Sequence, residues 1–214
     1  MTLPKNKLSL LFTVIFILAF VGSFTVKILN LSHNNFAFTI DQGRDLVDIR
    51  QMVVTLKPRL IGPTTSLNGF YLGPGYYYFL LSAFILGGGH PLAFVLWEIA
   101  WYQFAVLLLW LYFRRRSLPL ATLTGVLLLL MPLSFRLAAF HWNANAMPAF
   151  IILYFLSLFM VLDHPTFKRV FLFGLYVGFC LQIEAAFAYL LFPFSFLVFI
   201  FAKKFKYLLS LCLG

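Results

Sequence analysis

Long apolar runs separated by short basic clusters constrain this chain more than any other feature. Crossing the ~30 Å hydrocarbon core of a bilayer takes ~20 mainly apolar residues in helical form. Runs of this kind cover Leu8–Ile28, Leu92–Phe113, Ser117–Phe135 and Met147–Leu162, and a longer one extends from Val170 to Ala202. Tyr71–Leu86 is a further run, opened by Gly73-Pro74-Gly75 and closed by Gly87-Gly88-Gly89. Charged residues make up 10% of the chain and hydrophobic residues 63%, where a soluble domain carries ~25% charged. The expected fold is therefore all-α, a polytopic transmembrane helix bundle.

The net charge of +10 does not point to nucleic acid, because the basic residues sit in clusters between apolar runs, as loop anchors do. Cys180 and Cys212 lie inside apolar stretches and have neither disulfide nor metal spacing. The first run follows Lys5 and Lys7, is long for a signal-peptide core, and is closed by no small-x-small cleavage site, so it reads as a retained helix.

Positive charge sets an expected topology. Lys5 and Lys7 place the N-terminus in the cytoplasm. If Tyr71–Leu86 crossed, Arg114-Arg115-Arg116 would fall outside. If it lies in the interface, Leu92–Phe113 runs inward and the arginines are cytoplasmic. Lys168 and Arg169 then follow suit, and so do Lys203, Lys204 and Lys206 once Val170–Ala202 is split near Gln182–Glu184. Six crossings result, with a seventh starting at Tyr207, in a single membrane domain over 1–214. The chain stops at Gly214 inside an apolar run, which suggests the N-terminal portion of a longer protein.

The segment 32–91 becomes a long extracytoplasmic first loop carrying interfacial helices, and it holds Asp41, Asp45 and Asp48, three of the chain's six carboxylates. Within it, Asp45–Leu56 spaces Leu46, Ile49, Val53 and Leu56 as the apolar face of a surface helix. Tyr71, Tyr76, Tyr77 and Tyr78 have rings suited to the headgroup level. Asp41 and Asp45 would ordinarily cap or complement a helix N-terminus, but Asp41 lies where a loop can present its side chain. Arg136, in the short outer turn before His141-Trp142-Asn143-Ala144-Asn145, departs from the basic-inside pattern and suits a phosphate partner. Glu98 lies roughly 9 Å down the second crossing and must be neutral, bonded to a neighbour or turned to a polar cavity. Gln182 and Glu184 fall on the same outer side as Asp41.

Asp41-Gln-Gly-Arg-Asp45, Gly62-Pro-Thr-Thr-Ser66, Gly69-Phe-Tyr-Leu-Gly73-Pro-Gly-Tyr-Tyr-Tyr78 and Trp142-Asn-Ala-Asn-Ala-Met-Pro148 occur in that order. Together they resemble bacterial GT-C class glycosyltransferases of the protein-mannosyltransferase and lipid A aminoarabinose-transferase type. The resemblance implies transfer of a sugar from a polyprenyl-phosphate donor to a cell-envelope lipid, glycan or protein, in the inner or plasma membrane. It implies an acidic residue of the first outer loop at the active site, and Asp41 matches that position. Where some relatives have an aspartate at the outer start of the fourth crossing, this chain has Asn143-Ala144-Asn145. Where some have histidine after the fifth, it has Glu184. Candidate substrate-binding residues are Arg44, Asp45, Arg59, Tyr71, Arg136, His141, Asn143, Asn145, Gln182 and Glu184. A divalent metal is compatible with the class, but no ligand set is legible. The alternatives are a piece of a transporter or flippase and a truncated transferase without activity. A transporter would place its binding groups near the midplane, often in repeated halves; here the charges gather in one loop and no repeat is visible.

Overall fold

The computed structural model describes residues 5–32, 35–65 and 69–214; Ser66 of the expected loop motifs lies outside them. Eleven α-helices occur among the described residues: α1 (Lys5–Asn30), α2 (Ile40–Thr55), α3 (Gly75–Leu86), α4 (Pro91–Phe113), α5 (Leu118–Leu130), α6 (Pro132–Leu137), α7 (Asn143–Asp163), α8 (Phe167–Ile183), α9 (Ala185–Ala188), α10 (Leu191–Phe201) and α11 (Leu208–Leu213). No strand accompanies them among those residues, only one isolated antiparallel bridge between Thr64 and Tyr71. By length and composition, α1, α4 and α7 are each long and apolar enough to cross a membrane.

Two segments depart from their sequence expectation and a third divides where expected. Ser117–Phe135 was expected as one helix, but α5 stops at Leu130 and α6 begins at Pro132. Proline disfavours helical geometry in the residue before it, and Met131 accordingly takes an extended conformation with ψ 138°. The long run Val170–Ala202 breaks at Glu184 (φ −156°, ψ 102°), inside the expected window. There a Glu184 carboxylate oxygen accepts from the Ala186 amide at 3.1 Å and starts the next turn. The surface helix begins at Ile40, not Asp45, so Asp41 lies in its first turn rather than ahead of it. Its cap is Thr39, whose backbone N–H and hydroxyl both donate to Gln42 Oε1 at 2.5 Å.

The buried face of α2 is Gln42, Asp45, Ile49 and Met52, rotated from the Leu46/Ile49/Val53/Leu56 stripe. Leu56 is exposed and closes the helix in the left-handed region, at φ 53°. A β-carbon is strained there and glycine is not. Leu56→Gly is therefore expected to raise stability by up to about 1 kcal/mol in equilibrium unfolding, and a loss would show that the Leu56 side chain contributes more than its backbone costs.

Helix directions follow from the contacts. The Phe12 carbonyl accepts from Thr122 Oγ1 near the start of α5, while Gln103 bonds Ser23 higher on α1. At the far end of α4, Arg116 and Tyr112 both reach Asp163, the last residue of α7. Arg169 Nη1 donates to His164 O at 3.0 Å, and Tyr207 donates to Pro165 O at 3.0 Å. Lys7, Arg114–Arg116, Lys168–Arg169 and Lys203–Lys206 thus share one end of the bundle. Residues 35–65 and 69–90 and the turns 138–143 and 183–188 share the other. A stacked Phe16–Trp110 pair, with ring centroids 4.3 Å apart, packs α1 on α4. Phe79, Trp101 and Phe150 join α3, α4 and α7.

Candidate functional site

The candidate site is built from residues 35–65 and 69–90 and two turns of the bundle. On α2, Arg44 is the central donor. Its Nε and Nη2 reach Asp45 Oδ1 at 3.1 and 3.0 Å, and its Nη1 reaches Asp41 Oδ1 at 3.1 Å and Thr64 Oγ1 at 2.5 Å. Burial raises the affinity of the Asp45 carboxyl for its proton, and Arg44 and the Tyr77 hydroxyl only partly offset this. Burial works against the Arg44 charge, yet the Asp45 carboxylate beside it holds the guanidinium above its ordinary range. Tyr77 donates to Asp45 at 3.2 Å and to Asp48 at 2.9 Å. Burial and those two carboxylates push its phenol well up, so it stays a donor.

Arg59 closes the same surface. Its Nη1 reaches Asp48 at 2.5 Å, and its carbonyl accepts from Tyr78 at 2.9 Å. The chain then doubles back: Gly62 N–H donates to Leu72 O and Leu72 N–H to Pro63 O, both at 2.9 Å, which presents Thr64 to Arg44. Gly73 and Gly75 sit against Gln182 at the end of α8, where β-carbons would come within 2.6 and 2.8 Å of its side chain.

A second set of bonds ties this segment to the turn before α7. Ala37 N–H donates to Ala139 O and Gln42 Nε2 to His141 O, each at 3.0 Å. Glu98 is buried in α4 and accepts from the Tyr76 hydroxyl at 2.9 Å and the Trp142 N–H at 3.4 Å. Asn143 Nδ2 donates to Glu184 at 2.5 Å, which joins the start of α7 to the α8–α9 break. Asn145 Nδ2 closes the turn itself through Phe140 O at 3.0 Å and Leu137 O at 3.4 Å.

The expected site residues therefore fall into groups. Asp41 remains 60% exposed at its side chain, Arg44 and Arg59 about a third exposed, and all three are ion-paired. Tyr71 and Arg136 are exposed, and Arg136 makes no ion pair among the described residues. Gln182 is exposed and Glu184 partly so. Asp45, His141 and Asn143 are buried, and Asn145 is taken up in turn geometry. Tyr76 and Tyr77 are also buried rather than at a headgroup surface; of the run, only Tyr78 is exposed. Thr39, Gln42, Thr64, Tyr76 and Tyr77 were not expected in this network. The spacing Thr39-x-x-Gln42 is a legible capping signal, whereas no local signal pairs Tyr76 with Glu98 or Tyr77 with Asp45 and Asp48. Among the described residues no group of three His, Cys, Asp or Glu side chains gathers to hold a metal.

His141 is fully buried against Phe94 and Phe38, with ring centroids 5.2 and 6.3 Å away, and neither ring nitrogen has a protein partner. Burial pushes its pKa down to about 4 from an ordinary 6.5. The unfolded chain then binds a proton that the folded chain refuses as pH falls from about 6.5 to about 4, so stability drops across that window. The loss is expected to reach about 3 kcal/mol at the acid end. His141→Leu is expected to flatten this limb of the unfolding free energy; an unchanged acid limb would show that other groups produce it.

Comparison of the chain with protein-family models, curated proteins and solved structures gives no match.

Proposed function

We propose that the protein is a multi-pass membrane glycosyltransferase that moves a sugar from a polyprenyl-phosphate donor to an extracytoplasmic acceptor. The observation that carries this reading is Asp41. It is the exposed carboxylate at the edge of a surface whose other two carboxylates, Asp45 and Asp48, are tied down by Arg44, Arg59 and Tyr77. An exposed carboxylate fixed by one guanidinium is a positioned proton acceptor open to a substrate hydroxyl. The ordered motifs that resemble the GT-C class run through the same surface.

The gathering of Lys7, Arg114–Arg116, Lys168–Arg169 and Lys203–Lys206 at the opposite end supports a topology with that end cytoplasmic and the Asp41 surface outside. Tyr77 and Tyr78 of α3 bond Asp45, Asp48 and the Arg59 carbonyl of the segment that carries Asp41, which supports an interfacial position for α3. The bundle then makes six crossings, or seven with the segment from Tyr207.

In the reaction, the acceptor oxygen attacks the anomeric carbon while its proton passes to Asp41. The bond from that carbon to the phosphate oxygen breaks with its electron pair leaving on the lipid phosphate, and the configuration inverts. Holding the phosphate needs a cation that is not already neutralised. Arg44 and Arg59 are paired with aspartates, so Arg136 suits the task best, three residues from Ala139 in the turn that meets Ala37. The test is transfer of labelled sugar from a polyprenyl-phosphate donor by the protein in liposomes. Donor turnover that requires Asp41 supports the reading, and no turnover with any polyprenyl-phosphate sugar overturns it.

A further inference from the structure

Two buried ionisable side chains, one basic and one acidic, line one small cavity. Lys27, a turn from the end of α1, is 2% exposed, and its ammonium has no hydrogen-bond partner in the protein. It lies over the ring of Tyr102 at 4.7 Å and that of Phe135 at 5.2 Å. Ring faces attract an ammonium but take up none of its three donors as a true acceptor would. Glu98, one helical turn before Tyr102, is 6% exposed and comes from the neighbouring helix. Lys27 and Glu98 both line a cavity of about 20 Å3, together with Ser134 and Asn145. That is room for one water with polar partners on several sides. Ser134 and Asn145 spend their donors on backbone carbonyls, which leaves their oxygens as acceptors.

We propose that this cavity is a water site that closes a buried charge pair between Lys27 and Glu98. The Lys27 ammonium donates to the water, and the water donates on to the Glu98 carboxylate. Glu98 also accepts from Tyr76 and from Trp142 N–H, so the pair fastens α1 to α3 and to the turn that carries His141. A lone charge in such a place is expensive, while a compensated pair, or no charge at all, is tolerated.

The proposal is independent of sugar transfer and is tested on stability. Lys27→Met, Glu98→Gln and the double variant are purified in detergent and unfolded with denaturant, with tryptophan fluorescence as the signal. Each single change is expected to lower the ratio of folded to unfolded protein about tenfold or more. The double variant is expected to lose less than the product of the two. Where the singles fold too poorly to titrate, the yield of monodisperse protein replaces the midpoint, and the double variant is expected to exceed both. Independent, multiplying losses, or, where yield is the readout, a double variant that yields no more than the worse single, would overturn the pair. That is also the result expected if Lys27 were compensated by a phospholipid phosphate instead of by Glu98.

Discussion

Replacing Asp41 with asparagine is expected to reduce sugar transfer by about 10²–10⁴-fold, the range contributed by a positioned general base. Asparagine has the shape of aspartate and keeps an oxygen for Arg44, but it cannot take the acceptor proton. The cost to the fold should be small. The Asp41–Arg44 pair is at the surface, 3.1 Å apart with the aspartate 60% exposed, and exposed pairs are worth ~0–1 kcal/mol. Arg44 retains Asp45 and Thr64 in the variant. Measured side by side, turnover of a labelled donor should collapse while the thermal midpoint stays nearly unchanged. Near-normal turnover in the variant would remove Asp41 from the base role and leave the proposal without its central residue.

Gly62→Ala is expected to break the doubled-back strand that holds Thr64 against Arg44. A β-carbon at position 62 would lie 2.0 Å from the Gly73 carbonyl oxygen and 2.7 Å from its carbon, and both are backbone atoms. Neither can withdraw cheaply. Leu72 and Pro63 are bonded across the pair on one side, and Gly73 is pressed against Gln182 on the other. The strain is expected to cost about 1–3 kcal/mol or more and to open the segment 57–73. Limited proteolysis reads this as new cleavage there, with transfer falling in parallel. Gly69→Ala is the control. Gly69 has φ 82° with open space around its would-be β-carbon, so alanine should cost only about 1–2 kcal/mol and leave the pairing in place. Equal cleavage in the two variants would show that the Gly62 contact is not what holds the segment.

The helical architecture was legible because its causes are local. Long apolar runs specify helices, and within the run 117–135 Pro132 is the local signal for the break at Met131. The split at Glu184 was read correctly from length alone, since one helix of that extent would overshoot a bilayer. The stripe Leu46/Ile49/Val53/Leu56 points to a helix from Asp45, whereas the capping pair Thr39-x-x-Gln42 starts α2 at Ile40. Periodicity assigns one apolar face, but the rotation that buries Asp45 comes from Tyr77, thirty-two residues away.

The site was legible as a list of polar residues on one side of the chain, and not as a network. Whether Asp41 stays open while Asp45 is buried depends on where Tyr77 and Arg59 arrive. Whether His141 meets substrate or Phe94 depends on how the 138–143 turn packs. The sequence by itself determined the all-helical character, the apolar runs that become α1, α4 and α7, and the alternation of basic clusters with apolar runs, because hydropathy is summed along the chain. Only the tertiary structure decided which charges face each other. Lys27 and Glu98 are seventy-one residues apart, and no local rule joins them. A buried charge is tolerated only where another element brings it a partner, and that depends on the packing of α1 against α4.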